Sequence, residues 1–211
     1  MKNKETRVGR YDPAPMLQPS AQRRRATEHL RLARLRPPRP QWRIHPTDAA
    51  LHAWLIAPGS LTARLMQHGQ VTVRKCRQGT ARLNRAEQGA LGLRAGHVRE
   101  VVLMVDGQPR VWARSATGLR GLKGPWKAVR GLGTRPLAEL LFSHARVLRS
   151  PLVQHDWATH GPEALAARKA LGALKAPRWA RASVFRHHGQ ALRVMESFTP
   201  PVAGWRTSAR R

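Results

Sequence analysis

Residues 97–115 read HVREVVLMVDGQPRVWARS, and this stretch decides the fold. Two β-prone runs flank Asp106-Gly107, a dipeptide suited to the two-residue turn of a β-hairpin because both positions tolerate positive φ. In the first run Arg99, Val101, Leu103 and Val105 alternate onto one face, and Val98, Val102 and Met104 onto the other. Both faces are apolar, so the strand is expected inside a sheet covered on both sides. Arg99 is the exception on its face. In the second run Trp112 and Arg114 point the same way, and a hairpin with an arginine near each open end brings Arg99 and Arg114 close together. Two guanidiniums anchored in a buried sheet call for anions, either protein carboxylates or a ligand.

The flanking segments supply helices and a second hairpin. Thr47 or Asp48 caps a helix over 49–57 that carries Leu51, Trp54 and Leu55 on one side and breaks at Pro58-Gly59. Ser60 caps a second helix over 61–68, which Gly69 ends. Residues 71–77 alternate as a strand, whereas 78–96 are weakly patterned and read as a long loop or a small helical flap. Beyond the hairpin, short helices are expected near 126–130 and after Pro136, the latter burying Leu140, Leu141 and Phe142. Residues 146–157 form a strand that Pro151 places at a sheet edge, and 162–174 form an Ala-rich helix. Strands over 179–186 and 191–198 pair about His188-Gly189 and stop at Pro200-Pro201. Antiparallel strands interleaved with helices, without a βαβ rhythm, give an α+β fold on an antiparallel sheet.

Composition bounds what this fold can do. The chain has 211 residues and a formal net charge of +28, from 39 Lys and Arg against 11 Asp and Glu. Such an excess raises nucleic-acid binding, against a plainer reading in which the arginines are carried on the surface. Residues 1–43 hold 12 basic residues and three acids and close on Pro37, Pro38 and Pro40, so 1–41 reads as a disordered basic arm, with at most a short helix over 26–35. Residues 42–201 are the compact domain and 202–211 a basic tail. Cys76 is the only cysteine, which leaves no disulfide framework and no Cys-rich zinc site. No run of 18 apolar residues offers a transmembrane helix and no apolar segment follows the basic N-terminus, so the cytoplasm is the default location. His155 with His160, and His187 with His188, lack metal spacing; Ser60, Ser115 and Ser183 lack a nucleophile elbow; no glycine-rich phosphate loop is present. The tryptophans do not interleave with basic residues as in a single-strand-binding groove, and Trp54, Trp112 and Trp179 read as core.

Glu196 is the most informative single residue. Leu192, Val194, Glu196 and Phe198 share a strand face, and a carboxylate there is costly unless it is paired. An ion pair with Arg99, Arg114 or Arg181 and a place in a ligand site are both open on this pattern.

Six motifs fall in order: Trp54-Leu55 with Gly59-Ser60-Leu61-Thr62; Arg99-Glu100-Val101; Asp106-Gly107-x-Pro109 with Arg114; Leu132-Gly133-x-x-Pro136-Leu137-x-x-x-Leu141-Phe142; Trp179-Ala180-Arg181-x-Ser183; and Glu196-x-Phe198-x-Pro200. Together, over roughly 42–201, they resemble the chorismate pyruvate-lyases, which make 4-hydroxybenzoate for ubiquinone synthesis. The resemblance implies a sheet of about six antiparallel strands with helices around it, helical flaps over a buried ligand, no metal or other cofactor, and a monomer. It implies Leu61, Arg99, Leu137 and Glu196 as the substrate-binding set, with Arg114 joining Arg99 and Glu196 in catalysis. In that reading Arg99 takes the ring carboxylate of chorismate, aided by backbone N–H groups near Leu61 and Leu137. Arg114 takes the enolpyruvyl side, and Glu196 the ring hydroxyl. Two other classes compete: a non-catalytic sensor on the related fold of bacterial transcription regulators, and a basic nucleic-acid-binding protein. The first needs a helix-turn-helix ahead of the domain, which the proline-rich 1–43 does not supply. The second needs salt-sensitive binding through 1–41.

Overall fold

A computed structural model of the chain describes residues 49–142, 146–156, 161–172 and 178–199, with Val202 and Trp205. The basic arm over 1–41, its expected helix, the caps Thr47 and Asp48, and His160 lie outside the described residues.

Seven strands form one antiparallel sheet: β1 (Val71–Arg82), β2 (Ala95–Val105), β3 (Gln108–Thr117), β4 (Leu148–Arg149), β5 (Val153–Asp156), β6 (Trp179–His187) and β7 (Gln190–Phe198). Their order is β1-β2-β3-β7-β6-β4, with β5 also on β6. Among the described residues six α-helices accompany them: α1 (Ala49–Ile56), α2 (Leu61–Leu65), α3 (Arg85–Leu91), α4 (Leu119–Lys123), α5 (Leu137–Phe142) and α6 (Pro162–Leu171). The α+β expectation holds, with one strand more than about six. The single strand expected over 146–157 is two, β4 and β5, because Pro151 cannot donate to a ladder. Ser150 bridges the break: its N–H donates to the Val184 carbonyl and its Oγ accepts from the Val184 N–H, both at 2.9 Å.

The stretch 78–96 is more ordered than its weak pattern suggests. β1 runs on to Arg82, and α3 begins on a capping box in which Asn84 Oδ1 accepts from the Glu87 N–H at 2.8 Å and Glu87 Oε2 accepts from the Asn84 N–H at 2.9 Å. Gly92, at φ 67°, closes it in the left-handed conformation.

Both hairpin turns form as read, with φ of 48° and 74° at Asp106-Gly107 and 46° and 73° at His188-Gly189. The first hairpin nevertheless departs from a plain ladder. Met104 pairs with Pro109 and Leu103 with Val111, which leaves Arg110 as an extra residue in β3. A slip of one residue turns every later side chain to the opposite face. Arg99 therefore pairs with Ser115 instead of Arg114, and Arg114 pairs with Glu100. The expectation that the hairpin brings the two arginines close together is corrected by this bulge, which sends their side chains to opposite faces. On its other side, one rung beyond the Val111–Phe198 pair with β7, Arg110 O accepts from both the N–H and the Oγ of Thr199 at 2.9 Å.

The two faces of the sheet carry different layers. On the back, Ala167 and Leu171 of α6 pack on Val102, Trp112, Ala180, Ala182 and Met195. On the front, one apolar cluster gathers Trp54, Leu61, Val101, Leu103 and Phe198, and a second gathers Trp126, Leu141, Phe185 and Val194. The packing continues past residue 201: Val202 is fully buried, and the Trp205 carbonyl accepts from Trp54 Nε1 at 3.0 Å. Among the described residues no helix is long and apolar enough to cross a membrane.

Candidate active site

The front-face clusters leave a polar pocket where they meet. β2 sends Arg99, Val101 and Leu103 into it, β3 Ala113 and Ser115, β7 Val194 and Glu196, β6 Ser183 and Phe185, and β4 Arg149. Leu61 and Thr62 at the start of α2, and Leu137 and Leu141 of α5, complete the wall. Strand alternation explains the set: on each strand these are the residues of one parity, and the opposite parity faces α3 and α6. The cavity they enclose is about 50 Å³.

Arg99 is 2 % exposed. Its Nη2 donates to the carbonyls of Gly133 and Arg135, each at 3.0 Å, in the loop that leads into α5. Its Nε is buried without a partner, and no carboxylate among the described residues pairs with it. Burial pulls its pKa below the ordinary arginine value. A buried cation held only by carbonyls is half-compensated, and an anion entering the pocket would complete it.

Glu196 combines the two roles that its pattern left open. Arg181 Nε donates to Glu196 Oε2 at 2.6 Å, while Glu196 also lines the pocket. Arg181 is 1 % exposed and lies outside the pocket wall. Its Nη1 donates to the carbonyls of Trp54 and Ala57 at 3.0 and 2.8 Å, satisfying the C-terminal end of α1. A fixed cation thus orients the pocket carboxylate. Among the described residues Glu196 Oε1 has no hydrogen-bond partner, so one oxygen is left to face a ligand.

Leu61, Leu137, Arg99 and Glu196 line one pocket together, and Arg114 does not. Behind the sheet Arg114 Nε and Nη2 donate to the two carboxylate oxygens of Glu87 at 2.7 and 2.9 Å, and Nη1 donates to Glu100 Oε1. Burial alone would lower its pKa, yet the two glutamates carry it above the ordinary value. Its anions are protein carboxylates, one of the two possibilities that the sequence allowed.

Sequence reading missed two participants. Glu87 was not singled out in the segment read as a long loop or a small helical flap, although Asn84-x-x-Glu87 is a capping-box pattern. Arg149 lies in the two-residue strand before Pro151, where alternation is too short to assign a face. Its Nε donates to Ser183 Oγ at 3.1 Å and its Nη1 to the Gly59 carbonyl at 2.9 Å. No group of three or more His, Cys, Asp or Glu among the described residues is placed to hold a metal ion.

Comparison with known proteins adds an independent line. A family model described as chorismate lyase matches residues 40–202. A "probable chorismate pyruvate-lyase" of Azoarcus sp. is 44% identical over 174 residues, covering 77% of this chain and 92% of the relative. Another with that name, from Aromatoleum aromaticum, is 38% identical over 176 residues, covering 79% and 91%. Among solved structures, the C-terminal domain of the histidine utilization repressor of Pseudomonas syringae pv. tomato aligns with a TM-score of 0.49 at 11% identity, covering 67% of this chain and 99% of that domain.

Proposed function

The chain belongs to the chorismate lyase family and is a lyase, and on that premise we propose that it eliminates pyruvate from chorismate to leave 4-hydroxybenzoate. In this reaction the bond from ring carbon to the enolpyruvyl oxygen breaks and the hydrogen on the neighbouring carbinol carbon leaves as a proton. The ring becomes aromatic, and the departing enolpyruvate takes a proton at its methylene carbon to become pyruvate. Aromatisation drives the elimination, so the protein's task is to hold two carboxylates and a reactive ring conformation away from water.

The observation that carries the reading is the pairing of a buried, anion-seeking Arg99 with an oriented Glu196 in an otherwise mostly apolar pocket. Arg99 takes the ring carboxylate through the donors that its carbonyl partners leave over. Glu196 accepts a hydrogen bond from the ring hydroxyl. Leu61 and Leu137 close the pocket over the ring from α2 and α5. Since the cavity measures about 50 Å³, the substrate enters as these short helices, which the sheet ladder does not hold, give way. Arg114 acts from behind the sheet as a positioning residue that ties Glu100 of β2 to α3. From the family resemblance we further propose that it acts as a monomer in the cytoplasm, at the first committed step of ubiquinone biosynthesis.

Purified protein incubated with chorismate, without added metal or nucleotide, tests this. 4-Hydroxybenzoate and pyruvate are expected in equal amounts. Absence of turnover, with chorismate or 4-hydroxybenzoate still raising Tm, would replace the lyase with a sensor.

A further inference from the structure

We propose that Arg149 holds the second carboxylate of the substrate, the one on the enolpyruvyl group. This assignment rests on the lyase reading above and goes beyond it by naming the group that meets the departing half of the molecule. Chorismate is a dianion, and the ring carboxylate accounts for Arg99 alone. Arg114 cannot supply the second cation, because the bulge at Arg110 turns it to the back of the sheet, where two glutamates take its donors. Among the described residues that line the pocket, the remaining guanidinium is that of Arg149.

The geometry of Arg149 suits an anion. Ser183 Oγ and the Gly59 carbonyl fix two of its nitrogens, and its guanidinium carbon lies 5.2 Å from the centre of the Phe185 ring. These contacts set the plane of the group without neutralising it. Among the described residues its Nη2 has no hydrogen-bond partner; the Glu196 carboxylate acts on it through its charge, but without an ion pair, so its donors stay open to a ligand. Arg149 also borders the outer groove beside Ile56, Pro58 and Phe142, so it stands in the wall between solvent and the pocket. An incoming dianion meets this cation first. When the ring carbon–oxygen bond breaks, its electron pair passes to the enolpyruvate, whose carboxylate is already on Arg149. The proton lost from the ring carbon ends on the methylene carbon of that fragment, so Arg149 stabilises the charge that the leaving group carries between the two events.

The test compares two ligands that differ by this carboxylate. In Arg149→Met, kcat/KM for chorismate is expected to fall on the order of 100-fold, the usual scale for losing a charge-assisted hydrogen bond. The Kd for 4-hydroxybenzoate, which has the ring carboxylate only, is expected to stay within about 3-fold, and its retained binding reports an intact pocket. Arg99→Met is expected to lose both ligands. If Arg149→Met weakens both equally, or neither, the assignment is wrong. Should it not fold, Arg149→Gln carries the same comparison, because its amide can still donate to the Gly59 carbonyl. If the wild-type protein does not convert chorismate, the lyase reading falls separately. The Arg149 assignment is then judged on binding alone, with chorismate affinity lost and 4-hydroxybenzoate affinity kept as the supporting result and any other pattern overturning it.

Discussion

Arg99 and Arg114 lie on adjacent strands of one hairpin, and their environments differ in the one respect that matters for chemistry. Arg114 has its anions built in, whereas Arg99 has carbonyls and an unpartnered Nε. Arg99→Ala is therefore expected to lower kcat/KM for chorismate on the order of 100-fold while Tm moves by no more than about 5 °C, since a half-compensated buried cation adds little to stability. Turnover within a few-fold of wild type in a folded Arg99→Ala protein would remove Arg99 from the site. For Glu196→Gln, turnover is expected to fall by about two orders of magnitude with a small loss of Tm, because the amide oxygen can still accept from Arg181. Unchanged kinetics with a clearly lower Tm would make Glu196 a purely structural partner of Arg181.

At the level of elements, the hairpin shows what alternation can and cannot reveal. Period-2 spacing assigned the right residues to each face within β2 and within β7, because it is a property of one strand. It could not assign Arg114 relative to Arg99, because that depends on register between strands, and one unpaired residue changes it. The trace in the sequence was Pro109: a proline in an interior strand marks a bulge more often than a regular ladder. Arg149 was illegible for a different reason, since a two-residue strand has no period. Deleting Arg110 removes the bulge but keeps Leu103 opposite Val111, so both arginines keep their faces. Turnover within about 10-fold of wild type is expected, with roughly 1–3 kcal/mol lost because Thr199 no longer meets the Arg110 carbonyl. A folded but inactive deletion would show that the bulge shapes the pocket as well as the register.

The whole molecule carries a signature of its partly and fully buried histidines. Burial, helped by the nearby Arg193 cation, pulls the His155 pKa down to about 4, and burial also lowers His68 and His97. The His155 ring stays neutral in the folded state down to about pH 4, whereas in the unfolded chain it takes up a proton near the ordinary value of 6.5. Stability is thus fully present above about pH 6.5 and declines as pH falls toward about 4, where the folded state begins to take up the His155 proton. Tm measured across that interval is expected to fall less steeply in His155→Gln than in wild type; equal slopes would assign the acid sensitivity elsewhere. The fold class and much of the candidate pocket's lining were legible because turn chemistry, caps and apolar alternation agree along much of the compact domain. Net charge was less informative, since a +28 chain is compatible with an enzyme for an anionic metabolite and with a nucleic-acid binder alike. One shared contact has a consequence for genetics. Arg181 secures the end of α1 and the pocket carboxylate together, so in a saturation screen for lost activity position 181 is expected to score with 99 and 196, although its side chain does not line the pocket.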